Sequence, residues 1–328
     1  MRIASDAISF LDTVLDRTIA PGYSRVGFRM RKRHWPDNDP RPESMRGRTA
    51  LVTGANSGIG KATAAALAGL GATVLLGVRD LERGAQACRD IQATDPDADV
   101  SVVRCDIADP VSVTECAATL AHRLSRLDVL IHNAGVLPDT RQETAEGHEL
   151  TLATHVLGPL LLTELVAPLL GAATDPRVIF VASGGMYTQR LAVDDPEYRE
   201  SPYQGVTAYA RTKRMQVALT PLLAAHYAPR GISVSSMHPG WADTPGVATS
   251  LPGFHRLTKP LLRDAAEGAD TVVWLAATEP TPASGHFWHD RRSRPEHYLR
   301  RTRYSDEQAQ RLWRYCRDAI HPASDQPS

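Results

Sequence analysis

Short runs rich in valine, isoleucine and leucine alternate with longer helical stretches from about residue 49 to about residue 290. Such alternation is typical of a parallel sheet whose crossover helices cover both of its faces. The sequence therefore predicts a single α/β domain, doubly wound (Rossmann), with a parallel seven-stranded sheet and helices on both faces. The predicted strands are TALVTG from residue 49, TVLLGVR from 73, VSVVRCD from 100, DVLIHNAG from 128, RVIFVAS from 177, ISVSSMHPG from 232 and HFWHD from 286.

Two segments flank this domain. Apolar residues at helical spacing between residues 5 and 20, followed by RKRHWPDNDPRPE, predict an amphipathic helix and a linker over residues 1–46. The polar face of that helix is acidic, which favours packing on the domain, although binding to a membrane stays an alternative. SDEQAQRLWRYCRDA predicts a helix capped by Ser305. We therefore assign 47–295 to the NAD(P)-binding domain and 296–328 to a C-terminal helix and tail.

Composition argues against several kinds of protein. The 37 basic residues balance the 37 acidic ones, so no net charge draws the chain to nucleic acid or an anionic membrane. We interpret the basic runs Arg29–Arg33 and Arg291–Arg294 as solvated surface. The cysteines have neither C-x-x-C spacing nor neighbouring histidines, which argues against a metal site and favours the reducing cytoplasm: Cys88, Cys105, Cys116 and Cys316.

We expect neither a signal peptide nor a transmembrane segment. The start of the chain lacks a basic region followed by a continuous apolar stretch. The most apolar long segment, VLGPLLLTELVAPLLGAA from Val156, contains Pro159, Glu164 and Pro168, which favours a buried interface helix over a membrane span.

TGANSGIGKA follows the first predicted strand and opens a helix, the context that a dinucleotide-binding loop requires. Gly54 allows the tight turn, Gly58 lets the backbone approach a pyrophosphate, and Gly60 permits close packing of helix on strand. N–H groups at the helix start then hold the anion. We assign the rest of the loop to the same site: Asn56, Ser57 and Ile59.

The end of the second strand bears on which nicotinamide dinucleotide binds. An NAD site usually has a carboxylate there for the ribose 2′-hydroxyl, whereas this chain has Arg79, which suits a 2′-phosphate. The sequence thus favours NADP(H) over NAD(H). Asp80 follows directly and could serve the ribose, so NAD(H) stays open.

Five motifs occur in a characteristic order: TGANSGIG, NAG at Asn133–Gly135, VAS ending at Ser183, YARTK from Tyr209 and PGWADT from Pro239. Together they resemble the short-chain dehydrogenases/reductases over about residues 47 to 290. The resemblance implies an oxidoreductase that transfers a hydride between NADP(H) and the carbonyl or alcohol of a small molecule.

The resemblance also implies roles for individual residues. Tyr209 would donate the proton during carbonyl reduction, Lys213 would hold the nicotinamide ribose, and Ser183 would orient the carbonyl. Asp106 and the adjacent Ile107 would contact the adenine. The remaining cofactor contacts would come from Asn133, Ala134, Gly135, Pro239 and Thr244.

Elementary electrostatics gives a reason for the tyrosine–lysine pair. Tyr209 and Lys213 are four residues apart, so they share one face of a helix. Lowering a phenol pKa by about three units needs about 4 kcal/mol of phenolate stabilisation. We expect the Lys213 ammonium to supply it together with the charge of the oxidised nicotinamide. Only four of the 37 basic residues are lysines, and arginine would fit less compactly.

One position departs from the family pattern. The family commonly has an asparagine three residues before Gly158, completing a catalytic tetrad with a proton relay, and here that residue is His155. Our hypothesis is that His155 keeps the relay working, since an imidazole donates, accepts and titrates near neutral pH. The alternative is a histidine that only fills space.

The sequence says less about the substrate than about the reaction. GWADTPGVATSLPGFHRLTKPLL after Pro239 resembles the family's mobile substrate lid, and its apolar residues favour a lipophilic ketone or aldehyde. The insertion YTQRLAVDDPEYRESPYQG is expected at the rim of the site. Two alternatives stay open: a non-catalytic NADP(H)-binding sensor or interaction protein, and an epimerase or dehydratase. A homodimer or homotetramer is expected from pairing of the helices that start near Glu149 and carry Tyr209.

Overall fold

The computed structural model describes residues 19–243, 256 and 258–321. Within these residues one sheet has eight strands in the order β3-β2-β1-β4-β5-β6-β7-β8, and all neighbours are parallel except β7 and β8. The strands are β1 Thr49–Thr53, β2 Thr73–Val78, β3 Val100–Arg104, β4 Val129–His132, β5 Arg177–Val181, β6 Ser233–Met237, β7 Phe287–His289 and β8 Arg292–Ser293.

The predicted doubly wound fold is confirmed, with one more strand than the seven expected. Asp290 and Arg291 have φ angles of +50° and +58°, which turn the chain back on itself so that β8 pairs with β7. Because β8 is two exposed residues long, it has no hydrophobic pattern from which a strand could be predicted.

Helices cover both faces of the sheet. They are α1 Ile19–Tyr23, α2 Arg25–Lys32, α3 Gly58–Gly69, α4 Leu81–Thr94, α5 Pro110–Arg123, α6 Leu150–Leu152, α7 Gly158–Gly171, α8 Gly205–Tyr227, α9 Ala265–Ala277 and α10 Asp306–Ile320. A π-helical segment, Ala153–Leu157, joins α6 to α7, and 3₁₀ helices span Gly184–Thr188, Ala228–Arg230, Lys259–Leu261 and Arg300–Thr302.

Each face of the sheet has its own hydrophobic core. Leu120 of α5 and Leu162 of α7 pack in one core, together with residues of α8 and α10. Leu67 of α3 and Val272 of α9 pack in the other, together with residues of α4. Strand order reverses between β1 and β4, so the loops at their carboxyl ends diverge and leave a crevice. The residues that follow β1, β4 and β5 are therefore candidates for the functional site.

The most apolar long helix of the chain is buried in the protein. Among the described residues, Leu150–Gly171 has the length and hydropathy of a possible span, but 78% of the tested window is buried. This burial is what a core helix of an α/β domain shows.

The C-terminal helix α10 packs on α7 and α8. Ser305 caps it, since the Ser305 Oγ accepts the Gln308 N–H at 3.2 Å and the Gln308 side chain accepts the Ser305 N–H at 3.0 Å. Its apolar face places Leu312 and Cys316 in the same core as α7 and α8. All four cysteines are free and buried.

The interpretation of the two basic runs as solvated surface is wrong for three arginines. Arg31 is 7% exposed and its Nη1 lies 2.6 Å from Asp290 Oδ2. Arg291 pairs with Asp270 at 2.7 Å, and Arg294 is 7% exposed. Sequence could not show this for Arg31 and Arg291, because their carboxylate partners Asp290 and Asp270 are not neighbours in the chain.

Candidate active site

Glycine geometry shapes the loop between β1 and α3. Gly54 and Gly58 have φ angles of +64° and +54°, in the left-handed region that side chains disfavour. At Gly60 a Cβ atom would lie 2.4 Å from Asn133 Nδ2 and 2.5 Å from the Gly54 carbonyl oxygen. No side chain fits there, so the start of α3 lies directly against the loop and the end of β4.

The start of α3 presents unpaired donors to the crevice. The first-turn N–H groups of a helix have no intrahelical partner, and their dipoles favour an anion. Ser57 is the N-cap residue, and its hydroxyl makes no capping hydrogen bond. Ser57 is exposed, while Asn56 and Ile59 beside it are half-buried. This donor set fits the pyrophosphate of a dinucleotide cofactor.

Asn133 ties this loop to the end of β4. Its Nδ2 donates to the carbonyl oxygens of Thr53 at 3.0 Å and of Gly54 at 3.2 Å. The backbone N–H groups of Asn133 and Ala134 donate to Thr53 Oγ1 at 3.0 and 3.1 Å. Thr53 was missed by sequence reasoning, since a threonine at the end of a strand has no distinguishing signal.

The end of β2 carries Arg79 and Asp80 in different environments. Asp80 Oδ1 accepts the Arg83 N–H at 3.1 Å and so caps α4. The Arg79 side chain is 75% exposed, and its Nε lies 4.0 Å from Asp106 Oδ2. Asp106, predicted to contact the adenine, thus lies beside Arg79, whereas the Ile107 side chain is buried in the core.

Ser183, Tyr209 and Lys213 come together where β5 meets α8. Ser183 precedes the 3₁₀ helix Gly184–Thr188, and its Oγ accepts the Gly185 N–H at 3.2 Å. The Ser183 hydroxyl is near enough to Tyr209 to lower the pKa of its phenol. The Lys213 Nζ lies 5.5 Å from the centre of the Tyr209 ring and donates to the Val181 carbonyl oxygen at 2.7 Å.

Burial dominates the protonation of this group. It raises the pKa of the Tyr209 phenol above its ordinary value, and the neighbouring Ser183 hydroxyl opposes that rise. Burial also lowers the pKa of Lys213 to about 7. The lowering of the phenol pKa expected from Lys213 together with the oxidised nicotinamide stays a prediction. The Lys213 Nζ is bonded to a backbone carbonyl, and its own charge is disfavoured where it lies.

His155 lies fully buried in the π-helical segment, with its ring edge-on to Tyr209 at 5.2 Å between ring centres. Its Nδ1 is 2.8 Å from Thr212 Oγ1, and its Nε2 accepts the Val136 N–H at 3.0 Å. Thr212 Oγ1 donates to the backbone carbonyls of Ala208 or Tyr209, at 3.1 and 3.0 Å. The network therefore assigns the proton of the neutral ring to Nδ1.

This environment leaves His155 little capacity to titrate. Burial, with a smaller effect of the Lys213 charge, lowers its pKa well below the ordinary value. Both ring nitrogens are occupied, and the His155 carbonyl oxygen accepts from Gln216 Nε2 at 2.7 Å. Thr212 and Gln216 were not predicted, because sequence does not show which polar side chains of a long buried helix face inward.

The turn after β6 completes the described part of the site. The Pro239 carbonyl oxygen accepts from Arg263 Nη1 at 3.2 Å, and the Gly240 N–H donates to His238 Nδ1 at 3.2 Å. Thr244 and most of the predicted substrate lid lie outside the described residues. Across the described ranges, no group of three or more His, Cys, Asp or Glu side chains is arranged to hold a metal ion.

The insertion between Ser183 and Tyr209 is anchored through Glu197. Glu197 is 8% exposed, accepts the Glu149 N–H at 2.7 Å, and lies 2.7 Å from His148 Nδ1. The Tyr315 hydroxyl of α10 donates to the same carboxylate. These contacts fix the insertion between α6 and the C-terminal helix.

Comparison with known proteins identifies the family to which this chain belongs. The model of the family described as short chain dehydrogenase matches residues 48–252. The chain belongs to the short-chain dehydrogenases. It is accordingly an NAD(P)-dependent oxidoreductase, and the crevice described above is where a family member of this fold holds its dinucleotide.

Relatives are similar over most of this short-chain dehydrogenase. Dehydrogenase/reductase SDR family member 12 of Bos taurus is 40% identical over 294 residues, covering 88% of this chain and 91% of the relative. Retinol dehydrogenase 12 of Homo sapiens is 33% identical over 247 residues, covering 74% and 78%.

Solved structures agree on the fold. An uncharacterized protein from Mycobacterium paratuberculosis aligns with a TM-score of 0.66 and 28% identity, covering 84% of this chain and 94% of that one. A protein from Beutenbergia cavernae, described as an NAD(P) dependent gluconate 5-dehydrogenase with bound NADP, aligns with a TM-score of 0.58 and 27% identity, covering 73% and 92%.

Proposed function

We propose that this short-chain dehydrogenase interconverts a lipophilic carbonyl compound and its alcohol with NADP(H), and that Tyr209 is the acid and base. The observation that carries the proposal is the meeting of Tyr209 and Lys213 with the end of β5: the Lys213 Nζ lies 5.5 Å from the centre of the Tyr209 ring and donates to the carbonyl oxygen of Val181, two residues before Ser183. A substrate carbonyl oxygen bound between Ser183 and Tyr209 would accept hydrogen bonds from both hydroxyls.

The protonation states suit carbonyl reduction. The raised pKa of the Tyr209 phenol keeps it protonated at neutral pH, the form that donates a proton to a carbonyl oxygen. When bound, the nicotinamide dinucleotide supplies or accepts the hydride. Lys213, whose pKa of about 7 lets it hold or release a proton near neutral pH, would bind the nicotinamide ribose hydroxyls.

His155 supports this group by position. Its fixed neutral ring links the Val136 backbone to Thr212 on the Tyr209 helix. A ring with both nitrogens bonded and a depressed pKa is poorly suited to relay protons. We therefore propose that His155 holds Tyr209 and the loop after β4 in register.

The preference for NADP(H) is supported by the different contacts of Asp80 and Arg79 at the end of β2. Asp80 is engaged in capping α4, while the exposed Arg79 is free to approach a 2′-phosphate. Replacing Arg79 with Asp is expected to lower kcat/KM for NADPH at least tenfold and to affect NADH much less. A ratio of NADPH to NADH efficiency equal to that of wild type would contradict the preference.

A lipophilic substrate is supported by two apolar side chains at the ends of the predicted lid. Trp241 is half-buried at its start, and Leu261 is 42% exposed near its end. The name of retinol dehydrogenase 12 denotes a lipophilic alcohol as that relative's substrate. A screen of NADPH oxidation with aliphatic, aromatic, retinoid and steroid carbonyls tests this, and exclusive turnover of charged carbonyls would contradict it.

The decisive experiment compares Tyr209→Phe with Tyr227→Phe, a buried tyrosine on the same helix. Loss of one general acid is expected to reduce kcat by about 100-fold to 10,000-fold in the first variant only. Undiminished turnover in Tyr209→Phe would remove the proposed mechanism. NADPH binding without oxidation of any carbonyl would favour a binding protein instead. Product formation without net NADPH consumption would favour an epimerase or dehydratase.

A cytoplasmic location of the protein stays a prediction.

A further inference from the structure

Tyr23, which precedes the first strand in the chain, packs against the turns of the candidate active site. A Cβ atom at Gly184, the residue after Ser183, would lie 2.7 Å from Cε2 of the Tyr23 ring. The Tyr23 carbonyl oxygen accepts the Trp241 N–H at 2.8 Å, two residues after Pro239. Tyr23 is 2% exposed, so its ring is wedged between the Ser183–Gly184 turn and the Pro239–Trp241 turn.

The other neighbours of the Tyr23 ring belong to the same region. The ring centre lies 4.5 Å from that of His238, 5.0 Å from that of His289 and 6.4 Å from that of Trp241, all edge-on. His238 directly precedes Pro239, and His289 ends β7. A rigid aromatic ring thus fills the space where the carboxyl ends of β5, β6 and β7 diverge.

The backbone on both sides of Tyr23 is held by two arginines. The Gly22 carbonyl oxygen accepts from Arg31 Nη1 at 2.6 Å and from Arg263 Nη2 at 3.3 Å. The Ser24 carbonyl oxygen accepts from Arg263 Nε at 3.4 Å. Arg263 also donates to Pro239, so one guanidinium connects the Tyr23 backbone to the turn after β6.

A single carboxylate organises these arginines. Asp290 Oδ2 lies 2.6 Å from Arg31 Nη1 and 2.8 Å from Arg263 Nη2, and Asp290 Oδ1 lies 2.6 Å from Arg263 Nη1. All three side chains are almost fully buried. Charge-assisted hydrogen bonds in such a place strongly resist displacement, because breaking one leaves a buried charge uncompensated.

We propose that Tyr23 is a positioning residue for the reaction, an inference that rests on the proposed function. Its ring sets the separation between the turn that holds Ser183 and the turn that begins at Pro239. Asp290, Arg31 and Arg263 keep the ring in place. A substrate carbonyl must fit between these two turns, so loss of the ring misplaces Ser183 relative to Tyr209.

Kinetics on the full-length chain test the proposal. Tyr23→Leu removes the ring, Tyr23→Phe keeps it, and Tyr227→Leu is the matched control because Tyr227 is 3% exposed in the core. At saturating NADPH and well below the unfolding temperature, Tyr23→Leu is expected to lower kcat by about tenfold or more. Tyr23→Phe should stay within about threefold of wild type, and Tyr227→Leu should lose thermal stability but keep kcat.

Equal kcat in Tyr23→Leu, Tyr227→Leu and wild type would overturn the positioning role and leave Tyr23 as a packing residue. Should Tyr23→Leu fail to fold, Tyr23→Met, with a flexible side chain of similar length, is expected to show the same loss of kcat. Hydrogen exchange at residues 183–187 and 238–241 provides a readout that needs no turnover. Faster exchange there in the Tyr23 variant than in the Tyr227 variant supports the inference even if no carbonyl is reduced, and equal exchange refutes it.

Discussion

His155 is expected to make the free energy of unfolding depend on pH, and its replacement should reduce that dependence. The folded chain holds the ring neutral through Thr212 and Val136, and burial lowers its pKa well below the ordinary value. Above about pH 6.5 the ring is neutral in both folded and unfolded chains. Below that pH only the unfolded chain takes up the proton, so stability is lost as the pH falls toward the folded pKa.

The magnitude follows from the unfolded-state pKa of about 6.5. At pH 5, a histidine that stays neutral in the folded chain makes folding less favourable by about 2 kcal/mol relative to pH 8. His132 and His238 are also buried, and burial lowers the pKa of each, so they contribute with the same sign. The free energy of unfolding of the wild type should therefore fall by several kcal/mol, on the order of 2 kcal/mol per histidine, between about pH 8 and pH 5.

Urea unfolding at the two pH values measures the effect. In His155→Gln the stability difference between about pH 8 and pH 5 should shrink by about 2 kcal/mol. His122→Gln, on the exposed side of α5, is the control and should keep the wild-type difference. If His155→Gln also keeps it, the folded ring titrates after all and a proton relay through His155 regains support. The same reasoning predicts an unchanged shape of the pH–rate profile in His155→Gln.

Three further predictions concern the cofactor loop, the buried cluster and the lysine. Gly60→Ala should abolish NADPH binding measured by fluorescence, because its Cβ would lie 2.4 Å from Asn133 Nδ2, whereas Gly69→Ala, with nothing within 4 Å, should bind normally. Asp290→Asn should lower the free energy of unfolding in urea by about 3–5 kcal/mol, since it leaves two buried guanidinium groups without a counter-charge; equal stability would show that the arginines find other partners. Lys213→Arg should lower kcat/KM by about 100-fold, because a planar fork cannot replace a compact ammonium in a position 2% exposed; activity near wild type would show that only charge matters there.

Much of the fold followed from local pattern. The seven longer strands were predicted from short runs rich in apolar residues that alternate with helices, and the roles of Ser183 and Asn133 came from the resemblance to the family. Tyr209 and Lys213 followed from helical spacing.

What could not be predicted depends on which distant side chains meet. Thr212 pairs with His155, and Arg31 with Asp290, across separations that no local pattern encodes. Likewise, nothing local distinguishes Tyr23 from a surface tyrosine before the sheet. The burial that raises the pKa of the Tyr209 phenol is likewise not visible in the sequence, and the fall expected with Lys213 and the oxidised nicotinamide stays a prediction.

The packing of α10 on α7 and α8 has a consequence for self-association. Helix α10 covers apolar surface of the two helices that the sequence predicted to pair with a second copy. The side of α10 turned to water is charged: Glu307, Arg311, Arg314, Arg317 and Asp318 are exposed. A neighbour approaching from this direction would meet charged, hydrated side chains in place of leucines. Size-exclusion chromatography of a chain ending before Ser305 should therefore show stronger association than the full-length chain.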